Sequence, residues 1–483
     1  MNQSRLSPQH QLIRSVVLLM CLSTLLITCL RVIGHGFFPI DDALRHVAKV
    51  LSGKSWADIL IIRPEITMDS HPGWHIILSV FQAVTKCDKT VLLNFSVMLL
   101  FLVFTVPPIF YFRRGEAWIA SLALSTVFFF GSIYRLFYGR PYITSMALVL
   151  LFCFLWDKVK DKDKPWVELI ALSAITALAT WIHGAWYLLT LPLVALLLAR
   201  QWRVFGLMSG ATSLGVLCGA MLMGSPLVFL HQMIFHALDA FGKNDFTRQL
   251  VGEFQPFTGE ALVFFVIGGF LLWRQTRGEW NDRVLDNPVF YLIVICWIMG
   301  FFASRFWTDW AWPALAFWMA LEIQAALEQY MDNFSWKRLI LAAMFCLVLL
   351  LAVTNDHGSR WSGAVAEWPN IENKAHRPWL PDDGGIVYND NMFLFYQVFY
   401  NNPQAPWRYA LGFEPIWMTA DNLKIFRDIQ LKRGKDESYL PWVQKMTLKD
   451  RMILIRSIEP QIQGLEWHEI TPTVWSGKLK QKI

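Results

Sequence analysis

Charge is scarce in this sequence: Asp, Glu, Lys and Arg make up 17% of its 483 residues, where a soluble globular chain carries roughly 25%. The deficit comes with 55% hydrophobic residues and a mean hydropathy of +0.38. Together these exclude an ordinary water-soluble protein and point to a surface that faces hydrocarbon. The seven cysteines include no CxxC pair, and six of them lie inside apolar runs, so neither a disulfide frame nor a zinc site follows. Internal repeats and low-complexity tracts are absent as well. A cleavable leader does not fit, because the first apolar run is too long and lacks a convincing cleavage site; it reads as an uncleaved helix. The net charge of +6 does not imply a nucleic-acid partner, since the basic residues sit in short clusters between apolar runs, as in cytoplasmic loops.

What is present is apolar length and aromatic weight. The 24 Trp and 36 Phe suit a membrane protein, because the indole ring favours the interface. Helix 1 spans about 12–33, and further apolar runs lie near 91–112, 116–133, 142–157, 167–183, 185–199, 204–223, 259–273, 287–303, 310–327 and 337–354. The expected fold is therefore a polytopic all-α membrane bundle of about eleven transmembrane helices over residues 1–354. With the N-terminus cytoplasmic, every compact basic cluster falls on the cytoplasmic side: Arg113-Arg114, Lys158 to Lys164, Arg200 to Arg203, Arg274 to Arg283, and Lys337-Arg338. The opposite side receives a large 34–89 loop with amphipathic pieces at 41–52 and 74–85, the 224–258 loop, and everything after 355. Counting 74–85 as a span would scatter the basic clusters, so it reads as a surface helix.

Residues 355–483 change character, with charged, Pro and Asn residues replacing apolar runs. Strands are expected at 385–388, 452–455 and 467–475, with helices at 392–400 and 420–432, which describes a small soluble α/β domain.

Ionisable groups collect in the outer loops. Asp41-Asp42 follows helix 1, with Arg45 and His46 one turn on. Such a pair can hold a divalent cation, or supply a general base and the group that orients it; equally, Asp41 can simply cap the 41–52 helix. Asp69-Ser70-His71-Pro72-Gly73-Trp74-His75 precedes the second amphipathic helix. A Pro-initiated helix with an Asp or Ser cap explains part of it, but not two histidines. Tyr134-Arg135 with Arg140, His183-Gly184, and Ser304-Arg305 put basic groups on the same outer side. Snorkelling side chains explain these locally, while binding an anionic phosphate explains why three separate turns share them.

In order along the chain, the Asp41-Asp42 pair, Ser52-Gly53-Lys54-Ser55-Trp56, His71-Pro72-Gly73-Trp74, His183-Gly184 and Ser304-Arg305 with Pro313 resemble the motifs of the GT-C glycosyltransferases. The likeness is to the branch containing protein O-mannosyltransferases and the aminoarabinose transferases of lipid A. The resemblance implies transfer of a sugar from a polyprenyl-phosphate-linked donor to a lipid, glycan or protein acceptor outside the cytoplasm, at the plasma (inner) membrane. Asp41, Asp42 and His71 would be the catalytic residues, with one aspartate taking the acceptor's proton as C1 inverts; Asp41 is favoured because it follows Pro39-Ile40 directly out of the membrane. His46, Arg135, Arg140, His183 and Arg305 would bind the donor. A divalent metal is compatible with the acidic pair and is not required. Three departures stand out: His71 occupies a usual Lys position, Gly73 replaces a second Pro, and Thr144 or Ser145 lies near a usual acid. The last gives Asp41 and Asp42 more of the chemistry, implies a different acceptor, or marks a non-catalytic relative.

Other readings remain. A transporter should carry ionisable residues or breaks at helix midpoints, yet the midpoints are apolar, with Pro107-Pro108 and Pro192 as the clear breaks. A polysaccharide polymerase or ligase, and a non-catalytic subunit of an envelope complex, are the remaining alternatives.

Overall fold

The computed structural model describes residues 8–34, 39, 41–128, 133–238, 252–256, 261–278, 287–331, 336–353 and 367–480. Phe38 and Ile40, beside the acidic pair, and the ends of several expected spans lie outside the described residues. The chain folds into two compact units, one of residues 1–37, 97–234 and 251–358, the other of 38–96, 235–250 and 359–483.

The first unit is built from apolar helices. Five described helices are long and apolar enough to cross a membrane: Gln11–Gly34, Lys89–Tyr111, Tyr142–Lys160, Trp202–Met221 and Trp336–Val353. Others expected as spans are shorter, such as Trp166–Ile182 and Pro288–Gly300. Their outward faces carry Trp166, Val167, Ile170 and Leu178 exposed, as a lipid-facing surface requires. Glycine sets the closest helix pair. A Cβ at Gly215 would lie 2.6 Å from Thr176 Cβ, and one at Gly219 2.7 Å from Thr180 Cβ. This Gly-x-x-x-Gly spacing lets Trp202–Met221 approach Trp166–Ile182 backbone to backbone. One buried ion pair joins two helices: Arg338 Nε donates to Glu116 Oε1 at 2.6 Å and Nη2 to Oε2 at 3.0 Å. Where a loop over 224–258 was expected, the structure has a helix, Pro226–Leu238. Its Pro start and run of Leu, Val, Phe and Ile carry it, and residues 239–250 lie outside the described residues.

The second unit has a five-stranded sheet of order β2-β1-β3-β5-β4, with β1 Ile386–Tyr388, β2 Arg408–Tyr409, β3 Arg451–Ile455, β4 Leu465–Thr471 and β5 Val474–Leu479. β2, β1 and β3 are parallel; β5 and β4 are antiparallel. Helices Met392–Asn401 and Ala420–Leu431 complete the α/β unit. The single strand expected over 467–475 is a hairpin. Pro472 cannot donate to the ladder, and Thr473, at φ 68°, gives its N–H to Glu469 Oε1 at 3.1 Å, which reverses the chain.

The segment after helix 1 belongs to this second unit. Trp56, Ile59 and Leu60 are buried in one cluster with Phe395, Phe399, Tyr409, Phe413 and Trp417. The N–H groups of Ile61 and Arg63 donate to the carbonyls of Tyr409 and Trp417, each at 2.9 Å. The two surface helices expected at 41–52 and 74–85 form as Asp42–Ser52 and Pro72–Thr85.

Candidate active site

The Asp42–Ser52 helix has one strongly apolar face, and with Ala43, Val47 and Ala48 it buries Arg45 and His46. Asp41 stands at the N-cap position, but its side chain makes no capping hydrogen bond. The simple capping role is therefore absent. Asp42, in the first turn, is paired with the Arg45 guanidinium, whose Nη2 also donates to Oδ2 at 3.3 Å. The Arg45 guanidinium carbon lies 3.7 Å from the centre of the Phe413 ring, an arrangement that holds a buried cation against an aromatic face.

Four ionisable side chains then run in series. His46 Nε2 is 3.3 Å from Asp42 Oδ2, although that buried nitrogen makes no aligned hydrogen bond. His46 Nδ1 is 2.9 Å from His75 Nε2, and His75 Nδ1 is 2.6 Å from Asp69 Oδ2. His71 lies beside the series: its ring centre is 5.0 Å from that of His46, its N–H donates to Asp69 Oδ1 at 3.0 Å, and its Nδ1 meets Ser70 Oγ at 2.7 Å. Pro72 opens the second helix and so places His71 at its N-cap and His75 one turn inside. Burial, then the neighbouring Arg45 charge, pushes His46 down to about 3, so it is a neutral imidazole at physiological pH. Asp69 is held below the usual carboxylate range despite its burial, by the His75 and His71 side chains and by the His71 N–H. Asp69 also lines a cavity of about 300 Å³ with Lys49, Ser55, Trp56 and Trp417. Among the described residues no three His, Cys, Asp or Glu side chains are arranged to hold a metal ion.

A second ionic cluster forms within the helical unit. Arg135 donates from Nη2 and Nε to Asp309 Oδ1 at 2.7 and 3.0 Å, and Arg305 Nε donates to Asp309 Oδ2 at 3.1 Å. Glu253 pairs with Arg140 and lies 3.4 Å from Arg135 Nη1. The Tyr142 ring sits 4.6 Å from the Arg135 guanidinium carbon. Asp309 is set by a five-residue π-turn, Trp307–Ala311, an irregularity that re-aims side chains and often marks a functional position. Arg135 and Arg140 from one turn and Arg305 from another thus share two carboxylates among the described residues. His183 is turned to Ser145, with Nδ1 at 2.9 Å from its Oγ. The residue near the expected acid is thereby a hydrogen-bonding partner of an expected donor-binding one.

No family model matches the chain, and no curated protein matches it by sequence. Solved structures do match. ArnT from Cupriavidus metallidurans in the apo state superposes with a TM-score of 0.51 at 14% identity, over 93% of this chain and 97% of ArnT. The chain has the GT-C fold. A weaker likeness, at a TM-score of 0.48 and 10% identity over 90% of this chain and 69% of the other, is to the oligosaccharyltransferase AglB from Archaeoglobus fulgidus, solved with an inhibitory peptide and a dolichol-phosphate.

On this GT-C fold the structure joins Asp42 to His46, and Arg135 to Arg140 and Arg305. The sequence marked both histidines of the 69–75 stretch as unexplained and the resemblance gave a role to His71, but neither assigned one to Asp69 or His75. Both also missed Asp309 and Glu253, the acids that organise the arginines. The only local signal for Asp309 is its position four residues after Arg305, the spacing of a helical ion pair.

Proposed function

We propose that the chain is a membrane glycosyltransferase, moving a sugar from a polyprenyl-phosphate-linked donor to a lipid, glycan or protein acceptor with inversion at C1. Its eleven or so helices would lie in the plasma (inner) membrane, with the N-terminus cytoplasmic and the α/β unit outside. The reading is carried by one observation: an aspartate, Asp42, backed by two buried imidazoles on a chain with the GT-C fold. The acceptor hydroxyl attacks C1 as the phosphate leaves, and its proton passes to Asp42. Asp41, at the adjacent N-cap position, orients the hydroxyl. Because the leaving group is already a phosphate, the chemistry needs one base and a charge that stabilises the departing anion. Within the helical unit, the arginine cluster is the candidate for binding donor phosphate, which competes with Asp309 and Glu253 for Arg135, Arg140 and Arg305 through strong charge-assisted bonds.

The test is transfer by protein in lipid nanodiscs, with radiolabelled polyprenyl-phosphate sugars and extracted envelope lipids as acceptors. Asp42→Asn should slow transfer by about 10²–10⁴-fold, the range for loss of a general base. Arg305→Ala should raise the KM for donor. Wild-type-like turnover in both Asp41→Asn and Asp42→Asn would sink the reading.

A further inference from the structure

The series Asp42, His46, His75 and Asp69 has a polarity fixed by its ends. A carboxylate only accepts, so at Asp69 Oδ2, 2.6 Å away, the proton must belong to His75 Nδ1. With that one ring proton, His75 has a bare Nε2, which can only accept, and the 2.9 Å link then requires the proton on His46 Nδ1. That leaves His46 Nε2 bare. It is the buried nitrogen without a hydrogen-bond partner, 3.3 Å from Asp42 Oδ2. A lone pair facing a carboxylate is repulsive, and one proton between them turns the repulsion into a bond. The vacancy for a proton therefore lies at the aspartate assigned as base.

We propose that His46, His75 and Asp69 form a proton store behind Asp42, holding the acceptor's proton on His75 during glycosyl transfer. The inference rests on the transferase reading for the source of its proton. When the acceptor O–H breaks, the proton goes to Asp42 Oδ2 and on to His46 Nε2. His46 gives its Nδ1 proton to His75 Nε2 in the same motion, so no cation rests on the fully buried ring. His75 becomes an imidazolium against the Asp69 carboxylate, and Asp42 regains its negative charge beside the reacting C1. When product leaves, the proton returns through His46 to Asp42 and from there to solvent water, which leaves Asp42 ionised for the next turnover. His46, His75 and Asp69 act through Asp42 and are positioning residues.

Two measurements decide it. Nitrogen-15 spectra of histidine-labelled wild-type protein in nanodiscs, at about pH 8 where an ordinary histidine is neutral, should show two imidazoles in the Nδ1–H tautomer. His46→Gln and His75→Gln should each remove one of them. Finding both rings in the Nε2–H tautomer overturns the store, whatever the protein's activity. In the transfer assay, His75→Gln and Asp69→Ala should lower kcat by about tenfold or more, less than loss of the base itself. KM should be unchanged and the solvent deuterium isotope effect diminished. Active wild type with unchanged kcat and isotope effect in both variants also overturns it. A wild type that transfers no sugar defeats the transferase reading, and the tautomers still decide the proton arrangement.

Discussion

At the residue scale, burial spends stability to hold a neutral histidine. His46 is fully buried and pushed down to about 3, whereas in the unfolded chain a histidine titrates near 6.5. Below that pH the unfolded chain takes up a proton and the folded one does not. Stability is then lost at about 1.4 kcal/mol per pH unit between 6.5 and the folded value. Arg45, Asp42, His75 and His71 are charged or titratable neighbours that face the ring. Asp69, held low, works in the same sense at lower pH: its contribution is full above the ordinary aspartate range and fades as acid reaches the folded value. Thermal midpoints followed by tryptophan fluorescence should fall as pH drops from about 7 to about 5, a window in which histidine titrates. His46→Gln should flatten that fall, and an equal slope in the variant would show that His46 is not its source. None of this was visible along the sequence, where His46 and His75 are 29 residues apart.

At the element scale, the apolar helices were legible because hydrocarbon demands length and hydropathy, both local properties. How they pack was less so. Gly215 and Gly219 read as ordinary helix residues until the Thr176 and Thr180 side chains are seen against them. Gly219→Leu should separate the helices and lower the thermal midpoint, because the added carbon would lie 2.6 Å from the Ala177 carbonyl oxygen and neither backbone can yield. Gly206→Leu, on the same helix with open space around its Cα, should leave the midpoint unchanged. Equal midpoints for the two variants would show that the close approach carries no stability. Strand ends were also only partly legible: the Thr471-Pro472-Thr473 reversal hides inside the Trp467 to Trp475 stretch, which reads as one strand.

For the whole molecule, loop charge predicts sidedness, and native Cys87 offers a direct check. It is the half-exposed cysteine of the second unit, and an impermeant maleimide should label it in intact cells. Lys160→Cys in a Cys87→Ser background should label only after permeabilisation. The reverse pattern would mean that a segment before residue 89 spans the membrane. The sequence by itself determined the membrane class, the α/β character after residue 355 and the candidate residues, because hydropathy, charge and turn chemistry act over a few neighbours. Only the tertiary structure decided partners. The 38–96 segment joined the α/β unit through Trp56, Ile59 and Leu60, and Arg135 met Asp309 across 174 residues. A buried charge needs a counter-charge in space, and nothing in chain spacing says where the fold will bring it.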